Sequence, residues 1–305
     1  MNTDYPTVLM TGATSGFGKV AVCEIAKQGA KVFVFCRDDE KGKQLINHYH
    51  ETCKDGKGSI ETIHCDLSSL DSIPKACDEL RTKTDKLDMI INNAGLMNFK
   101  FIETENHIEE TLQVNLLAPI LISHLLIDLL AKSSSAKLIF TASGLHSGVI
   151  HFDDIEFRNK FISYKSYAQS KLGIILLTRY LANKLAAKNI GVYCQHPGMV
   201  KTSLERNAPE FSKFIFNLMA TTPEEGCKNL LYLVETFKDE LVSGEYYDHF
   251  KVKQITKESY DMDMAENLFK AIKHYLNKYI TKPSLIFDGN EKKLHFEPEI
   301  EGIFA

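Results

Sequence analysis

Thr11-Gly12-Ala13-Thr14-Ser15-Gly16-Phe17-Gly18 follows directly on the apolar run Thr7-Val8-Leu9-Met10 and precedes a helix-forming stretch that begins near Lys19. Glycines there allow a tight turn, let backbone N–H groups approach a pyrophosphate, and bring the helix close to the strand, with the anion at the helix N-terminus. The spacing is G-x-x-x-G-x-G, not the commoner G-x-G-x-x-G, and a glycine-rich turn without a ligand is the competing reading.

Outward from this turn, short β-rich apolar runs alternate with longer amphipathic segments. Strands are expected over 8–11, 31–36, 59–64, 89–92, 137–141 and 191–195, with a seventh near 245–247. Helices are expected over 19–28, 70–84, 105–131, 164–188 and 262–279, and another where Pro223 and the acidic Glu224-Glu225 suit a first turn. This order predicts an α/β protein: a Rossmann-like, doubly wound parallel sheet of about seven strands with helices on both faces, in a single domain. No repeat or Gly/Ser linker divides the chain. The expected catalytic domain spans 1–282, with a lid near 203–226, and a tail of sparse periodicity runs over 283–305.

The chain has 305 residues and a formal net charge of -4 with the two signs interspersed, which disfavours nucleic acid as a partner. Its seven cysteines are an odd number without a C-x-x-C pair, so they read as thiols in a reducing compartment. None of the eleven histidines falls in a metal-ligand spacing, and no metal is expected. The N-terminal run has no basic region ahead of it, and no later stretch reads as apolar enough to span a bilayer. The expectation is a cytoplasmic protein without an integral membrane segment.

The second strand ends Phe35-Cys36-Arg37. An acid at such a position would accept hydrogen bonds from the adenosine ribose and select NAD. Cys36 replaces it, and Arg37 offers a planar fork of donors for a 2′-phosphate, so NADP(H) is the expected cofactor. The alternative leaves Arg37 in solvent and gives NAD to Asp38 or Asp39.

Tyr167-Ala168-Gln169-Ser170-Lys171 puts a phenol and an ammonium one helical turn apart on one face. Alone, Y-x-x-x-K is usually a surface pair. Joined to the glycine turn, Asn92-Asn93-Ala94-Gly95, Asn115, Ser143 and His196-Pro197-Gly198 in this order, it resembles the short-chain dehydrogenase/reductase family over roughly 7–247. The run Phe140-Thr141-Ala142-Ser143-Gly144-Leu145-His146, residues 167–185, the stretch around His196 and Thr222-Pro223-Glu224-Glu225-Gly226 are similar to the retinol dehydrogenase and WW-domain oxidoreductase branch.

The resemblance implies that Tyr167 is the general acid in reduction and the base in oxidation, that Lys171 supplies the cation a phenol of pKa near ~10 needs, and that Lys171 also holds the nicotinamide ribose. It implies that Ser143 orients the substrate oxygen and that Asn115 holds a water relaying protons to the lysine. Cofactor contacts would come from Gly12, Thr14, Ser15, Gly16, Phe17 and Gly18, from Asp66 and Leu67 at adenine, from Asn93, Ala94 and Gly95, and from Pro197, Gly198, Val200 and Thr202 toward the carboxamide. Asp66 could instead cap the following helix. The branch usually reads Ser-Ser where Ala142-Ser143 stands, and Ser147 is the rival for the serine's role. His146 could reach substrate, although a backbone-satisfied loop histidine is commoner. Phe211, Phe214, Ile215, Phe216, Leu218 and Met219 would give the lid an apolar face, and the helices over 105–131 and 164–188 would form a homodimer's four-helix bundle. The expected function is hydride transfer between NADP(H) and an apolar carbonyl or alcohol, such as a retinoid, steroid or lipid aldehyde. A nucleotide-binding regulatory protein without turnover is the reading from another class.

Overall fold

The computed structural model describes residues 5–198 and 221–287. Its sheet runs in the order β3-β2-β1-β4-β5-β6-β7-β8, built from β1 (Thr7–Thr11), β2 (Lys31–Cys36), β3 (Ser59–His64), β4 (Met89–Asn92), β5 (Lys137–Thr141), β6 (Gly191–Gln195), β7 (Tyr246–Asp248) and β8 (Lys251–Val252). The expected seven strands pair in parallel, and the eighth, two-residue β8 returns antiparallel on β7. Left-handed His249 and Phe250, with φ of 50° and 66°, make that reversal. No glycine marks it, which is why the sequence does not announce it.

The strands alternate between two cores because successive side chains point to opposite faces. Leu9, Phe33, Phe35, Ile90, Leu138 and Phe140 face one layer, whereas Val8, Met10, Val32, Val34, Met89, Ile91 and Ile139 face the other. The second layer is covered by α1 (Gly16–Lys27), α2 (Asp39–Thr52) and, from late in the chain, Pro223–Glu235. The first is covered by α3 (Ser72–Lys83), α5 (Ala118–Leu130) and α6 (Ser163–Leu185).

The helix expected over 105–131 is built differently. Residues 105–109 form a turn with His107 at φ 58° and a bridge between Glu103 and Glu109. One turn of helix, α4 (Glu110–Leu112), then widens into a π segment, Gln113–Leu117, before α5 begins. Such wide turns cluster at functional sites. The helix started by Pro223 is α7 (Pro223–Glu235), capped as its sequence suggests by Thr222, whose side chain accepts the Glu225 N–H. The last helix is α8 (Met262–Tyr275), followed by a 3-10 turn, Asn277–Tyr279.

Helices α5 and α6 are sheathed by this same chain. Eleven residues of α5 are buried, and α6 is buried continuously from Ser166 to Thr178. At Gly173 a Cβ would lie 3.1 Å from Leu116 and 3.2 Å from Leu268, so α6 passes closely between the π segment and α8. Past Lys282 the chain stays in the core: Ile286 and Phe287 are buried, and Phe287 stacks on Phe269 of α8 with centroids 4.9 Å apart.

Candidate active site

Strand order reverses between β1 and β4, and open parallel sheets bind their ligands beyond the strand C-termini at such a point. The glycine turn leaves β1 there. Gly12 has φ 68° and packs so tightly that a Cβ would meet the Ala94 backbone at 2.7 Å. A Cβ on Gly18 would stand 2.2 Å from the Gly12 carbonyl, which is how close α1 comes to the strand. Ser15, the N-cap of α1, is exposed and makes no side-chain cap hydrogen bond. The first amides of α1 therefore have no side-chain partner at their cap, as suits an anion. This cradle of close backbone and uncapped amides fits a dinucleotide's pyrophosphate.

Thr11, Asn93, Thr141 and Gln195 tie the strand ends together. Asn93 Nδ2 donates to the Thr11 and Gly12 carbonyls at 3.2 and 3.0 Å, and the N–H groups of Asn93 and Ala94 both donate to Thr11 Oγ1 at 3.0 Å. Thr141 Oγ1 donates to Asn93 Oδ1 at 3.1 Å and accepts from Gln195 Nε2 at 3.1 Å. Of these, the motif reading singles out Asn93 alone. The others are polar residues closing apolar strands, a signal visible only once the sheet aligns their ends. Asn92 points away, donating to Ser123 of α5 at 3.2 Å.

Tyr167 and Lys171 lie on α6, 7% and 3% exposed. Lys171 Nζ donates to the Thr141 carbonyl at 2.9 Å and sits 5.7 Å from the Tyr167 ring centroid. Gly95 keeps the space beside it open, since a Cβ there would lie 3.1 Å from Nζ. Burial pushes the ammonium down to about 8. Burial pushes the Tyr167 phenol above its ordinary value, and a hydrogen bond with the Ser143 side chain pulls it partly back. Ser143 is thus the serine that meets the phenol, whereas Ser147 faces the exposed Tyr164 hydroxyl at 3.2 Å.

The Ser143 loop is held from behind. His146 Nδ1 lies 2.5 Å from the Ser143 carbonyl and its ring packs on Tyr246, so it is satisfied by backbone. His196 Nδ1 accepts the Gly144 N–H at 3.1 Å, and burial pushes this imidazole down to about 4, keeping it a neutral acceptor. The segment before α6 is anchored by Gln169, which accepts the His151 N–H and donates to the Ile155 carbonyl, each at 2.8 Å.

Asn115 occupies the π segment. Its Oδ1 accepts the Leu96 N–H at 2.8 Å, and its Nδ2 donates to the Leu96 carbonyl at 2.8 Å and to Ser170 at 3.0 Å. Both of its side-chain protons are engaged. Asp66 shapes its own loop: Oδ1 accepts the Ser68 N–H and hydroxyl at 2.9 and 2.7 Å, while the N-cap of α3 is Asp71. At the end of β2 the Arg37 side chain is exposed. Val200, Thr202 and lid residues 203–220 lie outside the described residues.

A family model described as short chain dehydrogenase matches residues 6–213. The chain is a short-chain dehydrogenase. It is 34% identical over 281 residues to retinol dehydrogenase 14 of Homo sapiens, covering 86% of this chain and 84% of that one. To retinol dehydrogenase 13 of Homo sapiens it is 33% identical over 281 residues, covering 86% and 82%. Among solved structures, a putative uncharacterized protein from Mycobacterium Paratuberculosis superposes with a TM-score of 0.72 at 25% identity, covering 89% of this chain and 93% of that one. A putative NAD(P) dependent gluconate 5-dehydrogenase from Beutenbergia cavernae with bound NADP superposes at 0.60, also 25% identical, covering 79% and 93%. The short-chain dehydrogenase belongs to the retinol dehydrogenase branch, is an oxidoreductase acting on alcohols or carbonyls, and uses a nicotinamide cofactor.

Two expectations are corrected by these findings. Cytoplasmic placement is overturned by the kinship to retinol dehydrogenases, enzymes named for a lipid alcohol. One stretch is also long and apolar enough to cross a bilayer: Glu110–Leu130, although 89% of its window is buried inside the fold. The sequence reading missed it because three charged or amide residues at its start broke the apolar run.

Proposed function

We propose that this short-chain dehydrogenase transfers hydride between NADP(H) and an apolar alcohol or carbonyl, with a retinoid as the first substrate to try. The observation that carries the reading is the convergence of Ser143, Tyr167 and Lys171 beside the glycine turn, linked to it through Gly95 and Ala94. When bound, the nicotinamide supplies or accepts the hydride. Tyr167 transfers the proton at the substrate oxygen, and Ser143, whose side chain neighbours the phenol, orients that oxygen. Lys171 stabilises the phenolate and meets the ribose. Asn115 braces the Leu96 backbone and α6, so a relay water would sit on its main-chain carbonyl or a spare lone pair of Oδ1.

Support for NADP(H) comes from the end of β2. Asp38 is spent as the N-cap of α2, accepting the Lys41 N–H at 3.1 Å, and Asp39 pairs with His64 at 3.0 Å. Arg37 is left exposed beside Cys36, free to fork onto a 2′-phosphate. The relatives' name points to retinol, and exposed Leu145 and Val149 in the loop after Ser143 suit an apolar substrate.

The deciding experiment follows NADPH consumption with all-trans-retinal and a panel of other aldehydes, ketones and quinones. Tyr167→Phe is expected to cut turnover by about 10² to 10⁴ while NADPH still binds. Arg37→Asp is expected to weaken NADPH far more than NADH. Turnover indifferent to Tyr167 refutes the chemistry, equal loss of both cofactors refutes the role of Arg37, and NADPH binding without turnover on the panel favours the regulatory reading.

A further inference from the structure

A second buried polar cluster lies under the reactive centre, built on two carboxylates. Glu109 is fully buried at the N-cap of α4. Its Oε1 accepts the Thr111 N–H at 2.9 Å and its Oε2 accepts the Leu112 N–H at 2.8 Å. Capping needs nothing more, and a shorter side chain would do it. Yet Oε2 also accepts the Ser166 hydroxyl of α6 at 3.1 Å. From the other side, Glu156, 4% exposed, accepts the Glu109 N–H at 2.8 Å, Arg158 Nη2 at 2.8 Å and the Tyr275 hydroxyl of α8 at 2.9 Å. Glu109 is therefore fixed to the segment before α6 and to the last helix at once.

The register of these contacts gives them their meaning. Ser166 and Ser170 are one turn apart on one face of α6, and Tyr167 and Lys171 follow each by one residue. Glu109 holds Ser166, and Asn115, six residues along the same α4 and π segment, holds Ser170 at 3.0 Å. Packing and the Gln169 bonds hold α6 in place, and these two bonds add a directional fix on the face next to Tyr167 and Lys171. Placed at positions i and i+4, they resist both rotation and slide, and each residue step of a helix is a rotation of about 100°.

We infer that Glu109 is a positioning residue for the reaction: through Ser166 it sets the rotation of α6 that presents Tyr167 and Lys171. This rests on the proton-transfer reading of Tyr167. Displacing reacting groups by about 1 Å costs on the order of 10² in rate, so a bond one residue from the phenol has the leverage required.

Two variants separate positioning from capping. Glu109→Asp keeps a good cap but withdraws from Ser166, and Ser166→Ala leaves the cap whole. Both are expected to lower kcat for retinal reduction by about 10- to 100-fold, with KM and the Kd for NADPH within about twofold. The double variant should be no slower than the slower single, because both remove one interaction. Wild-type kcat in either single variant overturns the inference and leaves Glu109 a cap. Hydrogen exchange of peptide 163–171 gives a readout independent of turnover, expected to quicken in both variants. If wild type fails to reduce retinal, the substrate reading fails separately, and unchanged exchange in both variants then overturns the clamp.

Discussion

Lys171 holds its charge in a nearly dry place, 3% exposed, against the Thr141 carbonyl. Burial drives its pKa from the ordinary 10.5 to about 8. The unfolded chain keeps that proton through the interval between the two values, so it binds more protons than the fold does. Stability from this residue is thus complete above about 10.5 and is lost as pH falls through about 8, a swing of roughly 3 kcal/mol. The Tm of wild type minus that of Lys171→Met should therefore climb from pH 7 toward pH 10 in calorimetric scans of the protein without cofactor; a flat difference rejects it. Lys137 is also pushed down to about 8, and the subtraction cancels it. Tyr167, Lys171 and Ser143 were legible because each stands in a short motif whose chemistry demands that residue type. The side-chain bonds of Asn115 were not, since its partners Leu96 and Ser170 lie 19 and 55 positions away.

Elements reveal what periodicity conceals. The strands fall within a residue or two of their expected bounds, because a buried parallel strand is a short apolar run between turn residues. The expected helix over 105–131 starts later and contains a π segment, because Glu109 captures two amides and begins α4 there. Lys137 is a plainer case. It opens β5 as the first residue of a strand, where a lysine normally faces water, yet it is 2% exposed. Its Nζ donates to the Leu233, Val234 and Thr236 carbonyls at 2.8, 2.9 and 2.6 Å, closing the C-terminus of α7. A cation there meets the negative end of the helix dipole, and three carbonyls lose their donor when it is removed. Lys137→Met should cost about 2 kcal/mol at pH 7 in urea unfolding, and a variant as stable as wild type would show that α7 closes without it.

At the scale of the molecule, the last described residues complete the layer that covers the helix carrying Tyr167 and Lys171. Phe287 stacks on Phe269 of α8 and lies edge-on to His124 of α5 at 5.1 Å, while Phe269 meets Tyr180 of α6 at 4.7 Å. His124 Nδ1 and Ser284 Oγ stand 2.6 Å apart beside this stack. Residues 284–287 therefore lie against α5, and α8 against α6, the helices through which the family resemblance implied a homodimer. A four-helix bundle with a second copy would have to displace α8, whose Leu268 touches Gly173 in the middle of α6. Nothing in 283–287 announces this in sequence, because the three apolar residues Leu285, Ile286 and Phe287 after a proline are too short a run to carry periodicity. Phe287→Ala should cost about 3 kcal/mol, as for a large aromatic truncated in a packed core. Because the stack reaches α6 through Phe269 at Tyr180 and Lys184, more than two turns beyond Lys171, kcat below the new Tm should change less than about twofold. A loss of turnover equal to that of Glu109→Asp, without loss of Tm, would mean that the C-terminal segment acts on α6 directly and that the tie through Glu156 is secondary.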